Sequence, residues 1–447
     1  MKKIIFAVLL CLPILLLAVD QVTIYNDNFA LVRTSLEIKL EKGLQSYLMD
    51  DIPSTIEARS VILKPLNGKI EVYSQNYEFD LAGTSQILYK YIGKEVEIIT
   101  KTDQVFLGEL QFNDFNTIGI LNINSNKLSL IQYSEIRNIN LAELPDNFFL
   151  KPTLNWQLNA PKTAKYNIDF SYLCSGMKWD VTYNSVWDET AGELEINSWV
   201  TINNETGKAF KDTKLKLIAG DVSKKQIYAR GGRSNEVMYS MDAMSAKSPE
   251  FDEKAFHDFH MYTLSENVSL NNKQTKQLRL FPTKSVKAKS KYTYQTYSQD
   301  VMSKIEFVNS KKDGLGLPLP KGVVKIYKLD SDDDQLEFIG EDDIDHTATD
   351  EKVILTTGTA FDLVAKTTVL NSRKITNKVN EKDYSVELKN RSKKSKEIII
   401  THNVNGNWTI SNENIPFEKK SAYEIEFSKI LKPGEEFKLT WTERISY

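Results

Sequence analysis

Alternation of apolar and polar residues with a period of two runs through most of the chain, and it constrains the fold more than any other feature. Leu194, Ile196, Val200 and Ile202, for example, share one parity, and mainly polar residues lie between them. A strand sends successive side chains to opposite faces, so this pattern predicts strands with one buried face. No comparable run of helical spacing follows the first eighteen residues. We therefore predict an all-β protein of several antiparallel modules.

A small unit at residues 86–143 has its own pattern of five short apolar segments. Gly108 lies inside the second segment, which predicts a bulge or sharp bend there. Five short strands with a glycine bend predict a small SH3/Sm-like barrel, inserted after the N-terminal strands. Sm-like barrels can bind RNA. Because the chain has no basic excess, we interpret the unit as a structural module.

In the C-terminal part of the chain, the spacing of strands and turns predicts an immunoglobulin-like sandwich without a disulfide. Trp441 shares its parity with Phe437 and Leu439, so we expect it in the core. Turn signals separate four predicted strands at 384–389, 396–402, 422–428 and 436–446.

These patterns divide the chain into seven segments. In order they are a signal peptide (1–18), an N-terminal β segment (19–85), the small barrel (86–143), central β-sandwich strands (144–223), a flexible linker or loop (224–256), a continuation of the central domain (257–313) and a C-terminal β domain with an immunoglobulin-like end (314–447).

The first eighteen residues predict export. Lys2 and Lys3 precede an apolar run, Ile4 to Leu17, that is too short to span a bilayer, and Ala18 suits the position before a cleavage site. We expect a mature chain that starts near Val19 and is periplasmic, envelope-associated or secreted. No later stretch is long and apolar enough for a transmembrane helix.

Charge and cysteine content limit the function further. Loss of Lys2 and Lys3 with the signal leaves 55 basic against 60 acidic residues, so no net basic field attracts nucleic acid. Cys174 is then the one remaining cysteine, which excludes an internal disulfide. We expect a protein or envelope polysaccharide as partner, and the sequence does not indicate an oligomeric state.

Two clusters resemble metal sites. His257 and His260, with Met238, Met241, Met244 and Met261 nearby, suggest soft ligands for copper in an exported protein. Such spacing in a loop is more simply explained by composition. Asp330, Asp332, Asp334 and Glu341 partly match a calcium loop, but Gln335 replaces the required glycine and the flanks predict strands. A solvated hairpin turn fits these aspartates better.

Catalytic motifs are missing from the sequence. Cys174-Ser175-Gly176 is not a nucleophile elbow, and the sequence contains neither H-E-x-x-H nor a glycine-rich phosphate loop. Carboxylate pairs are inevitable among 60 acidic residues, and only geometry could identify a glycosidase pair. We therefore assign no catalytic, cofactor-binding or metal residue and no cofactor.

Four ordered stretches resemble one family. They are Val22–Arg33, Ser175–Tyr183, Asn203–Asp212 and a C-terminal group made of Leu317–Gly322, Phe338–Glu341 and Ile344–Thr347. Together they resemble the domain-of-unknown-function family that includes the mucoidy-inhibitor-A-like proteins. The resemblance implies an exported β-rich protein and no established activity. The mucoidy-inhibitor relatives usually have a coiled-coil segment where this chain has the small barrel.

Three functions agree with the sequence. The first is a non-catalytic envelope or secreted protein with an interaction or structural role. The second is a secreted hydrolase with paired carboxylates that acts on polysaccharide. The third is a carbohydrate-binding protein without catalysis, which would need exposed aromatic side chains. The sequence favours the first function, because it contains no active-site motif.

Overall fold

Strands dominate the fold, as the alternation predicts. The structure is a computed structural model that describes residues 20–78, 84–114, 116–142, 149, 151–220, 222–224 and 250–446. The predicted signal peptide (1–18) and residues 225–249 of the predicted linker lie outside the described residues.

Thirty-one strands are described, and they occupy most of the chain. The first fifteen are β1 (Asp20–Tyr25), β2 (Phe29–Leu40), β3 (Gly43–Met49), β4 (Ile62–Pro65), β5 (Glu71–Glu78), β6 (Glu95–Thr100), β7 (Val105–Asn113), β8 (Thr117–Asn122), β9 (Lys127–Gln132), β10 (Ile136–Leu141), β11 (Thr153–Ala160), β12 (Ala164–Ser175), β13 (Met177–Asp188), β14 (Glu193–Asn204) and β15 (Phe210–Ala219). The others are β16 (Phe251–Phe256), β17 (Phe259–Leu264), β18 (Val268–Leu270), β19 (Gln274–Arg279), β20 (Lys284–Gln295), β21 (Val301–Val308), β22 (Gly322–Leu329), β23 (Leu336–Ile344), β24 (Lys352–Thr359), β25 (Leu363–Thr376), β26 (Val379–Asn390), β27 (Lys396–Asn403), β28 (Asn407–Ser411), β29 (Phe417–Lys419), β30 (Glu424–Leu431) and β31 (Glu436–Ser446).

Helical structure is sparse in the described residues. One α-helix, α1 (Thr84–Lys90), and three short 3-10 helices (Ala58–Ser60, Tyr133–Glu135 and Lys311–Asp313) are present. The sequence does not predict α1, because seven residues are too few to establish a helical period. No helix within the described ranges has both the length and the apolar character needed to cross a bilayer.

The strands of the described residues form five sheets. The eight-stranded sheet has the order β16-β17-β15-β1-β2-β12-β4, with β18 paired to β15. The three-stranded sheet has the order β3-β11-β5. The eleven-stranded sheet has the order β23-β22-β13-β14-β20-β27-β30-β29, with β19, β21 and β24 paired beside this path. Most pairs are antiparallel, as predicted, but β1–β15, β13–β22 and β20–β27 are parallel. The first apolar core lies between these sheets and includes Trp156, Trp179 and Phe170.

The predicted small module is a five-stranded antiparallel sheet in the order β10-β6-β7-β8-β9, with its own core around Ile98 and Leu110. The five strands are confirmed. The prediction of a barrel is corrected in one respect, because hydrogen bonds do not join β9 to β10 among the described residues and the sheet stays open. Gly108 is needed for a close approach, since a Cβ there would lie 2.3 Å from the Leu121 carbonyl oxygen. The shift in register lies two residues further on, between Leu110 and Phe112.

The C-terminal strands form a sandwich around a second apolar core, as predicted. The sheet β25-β26-β31-β28 packs against β27 and β30, and Trp441 in this core is only 1% exposed. The strands β22 to β24, which fall inside the predicted segment 314–447, contribute instead to the first core through Val324, Ile326 and Leu355. The domain boundaries themselves stay a prediction.

The predicted linker at 224–256 needs a correction at its end. Residues 251–256 form β16, an edge strand paired with β17. Only Phe251 of this strand is buried. An edge strand with charged residues on an exposed surface lacks the alternation that identifies half-buried strands, so the sequence pattern could not reveal it.

Candidate functional site

The histidine and methionine cluster does not come together as a ligand set. His260 lies in β17, where its Nδ1 is 2.7 Å from Glu253 Oε1, and His257 lies in the exposed turn before that strand. Met261 is buried. Met238, Met241 and Met244 lie outside the described residues. Within the described part of the chain, no group of three or more His, Cys, Asp or Glu residues is arranged to hold a metal.

The aspartates at 330, 332 and 334 lie in the turn of a β-hairpin. The strands β22 and β23 pair on either side, and the Asp330 amide donates to the Gln335 carbonyl at 2.8 Å. Glu341 lies within β23, opposite Lys325. The hairpin that the sequence predicts is confirmed by this pairing.

Cys174 is inert by its surroundings. It lies fully buried in β12. Burial, and then the charge of Glu57, raise the pKa of its thiol to about 12. A thiol that is both buried and protonated is not a nucleophile.

Three clefts meet at a gap in the eleven-stranded sheet, and we call this gap the window. Strand β14 pairs with β20 as far as Lys287, and β27 pairs with β20 only from Tyr292 onward. The Ala288 amide still donates to the Gly192 carbonyl at 2.9 Å. Along residues 289–291, one edge of β20 therefore has no backbone partner strand among the described residues. Ser290 lies at the centre of this stretch and lines three adjoining clefts of about 540, 370 and 270 Å³.

The two faces of the sheet present different residues at the window. Lys289 of β20 lies directly opposite Glu306 of β21, and Ser290 lies opposite Ile305. Because the strand period is two, Lys289, Lys291 and Glu306 share one face, and Ser290 and Tyr292 share the other. The clefts thus reach the gap from both sides of the sheet.

On the first face, three lysines surround the buried carboxylate of Glu306. The Nζ atoms of Lys289, Lys291 and Lys352 lie 3.2, 3.2 and 3.5 Å from its oxygens. Burial pushes the pKa of Glu306 upward, but the hydrogen bonds and charges of Lys289 and Lys291 outweigh it and leave that pKa below its usual value. Glu306 is therefore an ionised counter-charge.

On the second face, three other lysines surround Glu189. The Nζ atoms of Lys328, Lys394 and Lys396 lie 3.3, 3.4 and 3.2 Å from its carboxylate oxygens. Burial again favours a higher pKa. The charges and hydrogen bonds of Lys396 and Lys328 prevail, and the pKa of Glu189 is about 2. Lys396 also bonds the Tyr292 hydroxyl and lies 4.6 Å from the centre of that ring.

A local turn fixes Glu189 in this position. The Asp188 carboxylate accepts the backbone amides of Thr190 and Ala191 at 2.8 and 2.9 Å. Gly192 closes the turn with a φ of 68°, a conformation that glycine adopts at no steric cost. The turn therefore fixes the chain just before β14 begins and leaves Glu189 facing the lysines.

The two carboxylates at the centre of the window are both held in the ionised state. A general acid for glycoside hydrolysis needs a carboxyl with a raised pKa. Glu189 and Glu306 have the opposite shift, because each is held ionised by lysines. The remaining lining consists of hydroxyl, ammonium, aromatic and aliphatic groups with four further carboxylates, those of Asp362, Glu397, Glu418 and Glu426, and such a lining can hold a polar ligand.

Sequence reasoning missed these residues. Ser290 lies about a hundred residues from Glu189 on one side and from Lys396 on the other, and no short motif connects the three. The one available signal was the Asp188–Gly192 turn between two long alternating segments. A turn of that kind predicts a hairpin, but it does not predict which distant lysines will surround its glutamate.

Comparisons with known proteins add little to this description. No family model and no curated protein matches the chain. Among solved structures it is similar to one from Parabacteroides distasonis ATCC 8503 that carries a provisional description as a protease. The identity is 8%, the alignment covers 96% of this chain and 92% of that chain, and the TM-score is 0.15. A TM-score of this size supports no argument about fold or activity.

Proposed function

We propose that this chain is an exported, non-catalytic binding protein of the cell envelope and that its ligand occupies the window. The observation that carries the proposal is the pair of carboxylates, Glu189 and Glu306, each held ionised by three lysines. Export rests on the signal-like residues 1–18. Membership in the mucoidy-inhibitor-A-like family, proposed on the four similar stretches, agrees with this location.

A secreted hydrolase is the weaker alternative. It would require a proton donor in the cleft, and the two carboxyls with shifted pKa values are both shifted toward the ionised state. A carbohydrate-binding role without catalysis is compatible with the proposal, because it needs only the polar and aromatic lining.

A blocking variant tests the proposal. Ser290→Trp places a bulky side chain where the three clefts meet, and Ser46→Trp adds the same side chain on the exposed strand β3 as a control. The purified exported protein is mixed with an envelope fraction, sedimented and quantified. We expect wild type and Ser46→Trp to sediment with the envelope and Ser290→Trp to remain in solution. Equal sedimentation of the two variants, with thermal unfolding matching wild type, would contradict the proposal.

Location is tested separately. We expect N-terminal sequencing of the exported protein to start near Val19, since Ala18 suits the cleavage position. Recovery of the chain in the cytosol with Met1 intact would contradict export.

A further inference from the structure

The charges that line the clefts of the window are balanced. Four lysines and four carboxylates line the first cleft, of about 540 Å³, and two lysines and two carboxylates line the second, of about 370 Å³. The third cleft shares its charged groups with these two, except for Lys394. A ligand with a net charge would gain little attraction from such a lining, and it would lose part of its hydration on entering the cleft. The balance therefore favours an uncharged ligand.

The second cleft also has hydroxyl groups that are free to bind a ligand. Ser290, Ser303 and Thr359 line it, and among the described residues their side-chain oxygens have no hydrogen-bond partner. Each hydroxyl can donate one hydrogen bond and accept two. The unpaired backbone edge at residues 289–291 adds further donors and acceptors at the same gap. These groups match a ligand that is itself rich in hydroxyls.

An exposed aromatic ring lies at the rim of this cleft. Phe361 is 97% exposed and lies in the turn between β24 and β25. Two backbone hydrogen bonds hold the turn, because the Ala360 amide donates to the Val301 carbonyl and the Arg391 amide donates to the Asp362 carbonyl, both at 2.8 Å. The ring therefore extends into solvent from a fixed backbone. The face of an aromatic ring is partly negative and attracts the C–H groups of a sugar ring that stacks on it.

Lipids and peptides fit this lining less well than a sugar chain does. A lipid chain would cover the charged and hydroxyl groups of the clefts and leave them without hydrogen-bond partners. An extended peptide can bind by adding a strand to a free sheet edge, but the free edge of β20 is limited to residues 289–291. A sugar chain needs no sheet edge, because it forms hydrogen bonds through hydroxyls along its whole length.

We infer that the ligand of the window is an uncharged polysaccharide, an inference that rests on the proposed binding function. One of its sugar rings stacks on Phe361, and the hydroxyls of neighbouring sugars bond Ser290, Ser303 and Thr359. Each of the two larger clefts has a volume within the range of about 300–1,000 Å³ that is usual for small-ligand sites. The adjoining clefts therefore accommodate several sugar units rather than one.

Substitutions of the exposed ring test the inference. Phe361→Ala removes the stacking surface, and Phe361→Trp replaces it with a larger one. Because the Phe361 side chain is almost fully exposed, both variants should unfold at the temperature of wild type. The matched control is Phe256→Ala, which removes a ring that is 52% exposed on the edge strand β16 and lines none of the three clefts.

The probe is polysaccharide from a protease-digested envelope, separated by anion exchange into a neutral and an acidic fraction and labelled with an uncharged dye. Fluorescence anisotropy measures the affinity of each fraction at low and high salt. We expect the neutral fraction to bind with an affinity that changes less than about twofold with salt, because no net charge is screened. Phe361→Ala should weaken this binding roughly tenfold, whereas Phe361→Trp and Phe256→Ala should match wild type.

Three results would overturn the inference. These are no binding of the neutral fraction, tighter binding of the acidic fraction than of the neutral one, or equal losses in Phe361→Ala and Phe256→Ala. If the neutral fraction does not bind while Ser290→Trp still abolishes sedimentation with the envelope, the inference fails and the proposed function stands. If sedimentation is also independent of Ser290, both fail.

Discussion

Glu189 shows at the scale of one residue how burial and charge compete. Its pKa is about 2, against an ordinary value of 4.5. A carboxyl whose pKa falls on folding contributes stability above its unfolded pKa and loses that contribution as the pH falls through its folded pKa. The contribution of Glu189 is therefore complete above about pH 4.5 and is lost between about pH 4.5 and 2.

Removal of this charge should destabilise the protein in a pH-dependent way. We expect Glu189→Gln to lower the free energy of unfolding by about 1–2 kcal/mol near neutral pH, because Lys396 loses its carboxylate partner in a half-buried site and keeps only the Tyr292 hydroxyl. The difference from wild type should shrink as the pH approaches 3. Urea unfolding at both pH values measures it, and Glu37→Gln, which breaks an exposed ion pair with Lys165, is the control. A difference that is the same at both pH values would contradict the pKa assignment.

Trp441 is a second residue whose environment can be tested. It is 1% exposed, and its ring stacks on Tyr384 with centroids 5.1 Å apart. We expect Trp441→Ala to cost about 3–5 kcal/mol of unfolding free energy, as large-to-small changes in packed cores do. Trp408→Ala, in the partly exposed strand β28, should cost clearly less. A loss below about 1 kcal/mol at Trp441 would mean that this side chain is exposed in solution.

At the scale of elements, parity of apolar residues was the reliable signal. It placed Trp441 in the core and identified β14, because apolar residues of one parity pack into a core in both strands. It failed for β16, which is exposed on both faces, and for the short helix α1. The sequence could not predict the window either, since the gap depends on where β14 begins and where β27 begins along β20. Local sequence determines each strand, whereas the gap is a property of three strands together.

Gly108 tests the packing of one element against another. A Cβ at this position would meet the carbonyl oxygen of Leu121, which belongs to the backbone of β8 and cannot rotate away. We expect Gly108→Ala to destabilise the five-stranded sheet by about 1–3 kcal/mol. Hydrogen exchange should accelerate in residues 95–141 and stay unchanged in 379–446. Gly93→Asn is the control, because a side chain there meets nothing within 4 Å and asparagine tolerates its φ of 84°. Unchanged exchange in Gly108→Ala would contradict the close approach.

At the scale of the whole molecule, the small module is an insertion. The strands that flank it, β5 and β11, pair with each other, and Glu78 lies opposite Thr153. The ends of the inserted segment are therefore next to each other, and the module has a core of its own. Such an arrangement tolerates removal of the insertion.

We expect that replacing residues 79–152 with a short Gly-Asn turn will leave the remaining sheets folded. Tryptophan fluorescence should report a cooperative transition like that of wild type, because all six tryptophans lie outside the removed segment. The urea m-value should fall, since less surface is exposed on unfolding. Loss of the cooperative transition would show that the first core depends on the module. The matched control is an insertion of the same turn after Asn126, which keeps every strand.

The most direct test of the whole account is to ask whether the bound ligand is left intact. Envelope polysaccharide is incubated with the purified protein, the retained polymer is released by unfolding the protein in urea, and its chain length is measured by chromatography. We expect wild type to retain the polymer and Ser290→Trp not to retain it. We also expect the released polymer to have the same chain length as polymer incubated alone. Shortened polymer would contradict the claim that the window binds without catalysis, and retention by Ser290→Trp equal to that of wild type would contradict the location of the site.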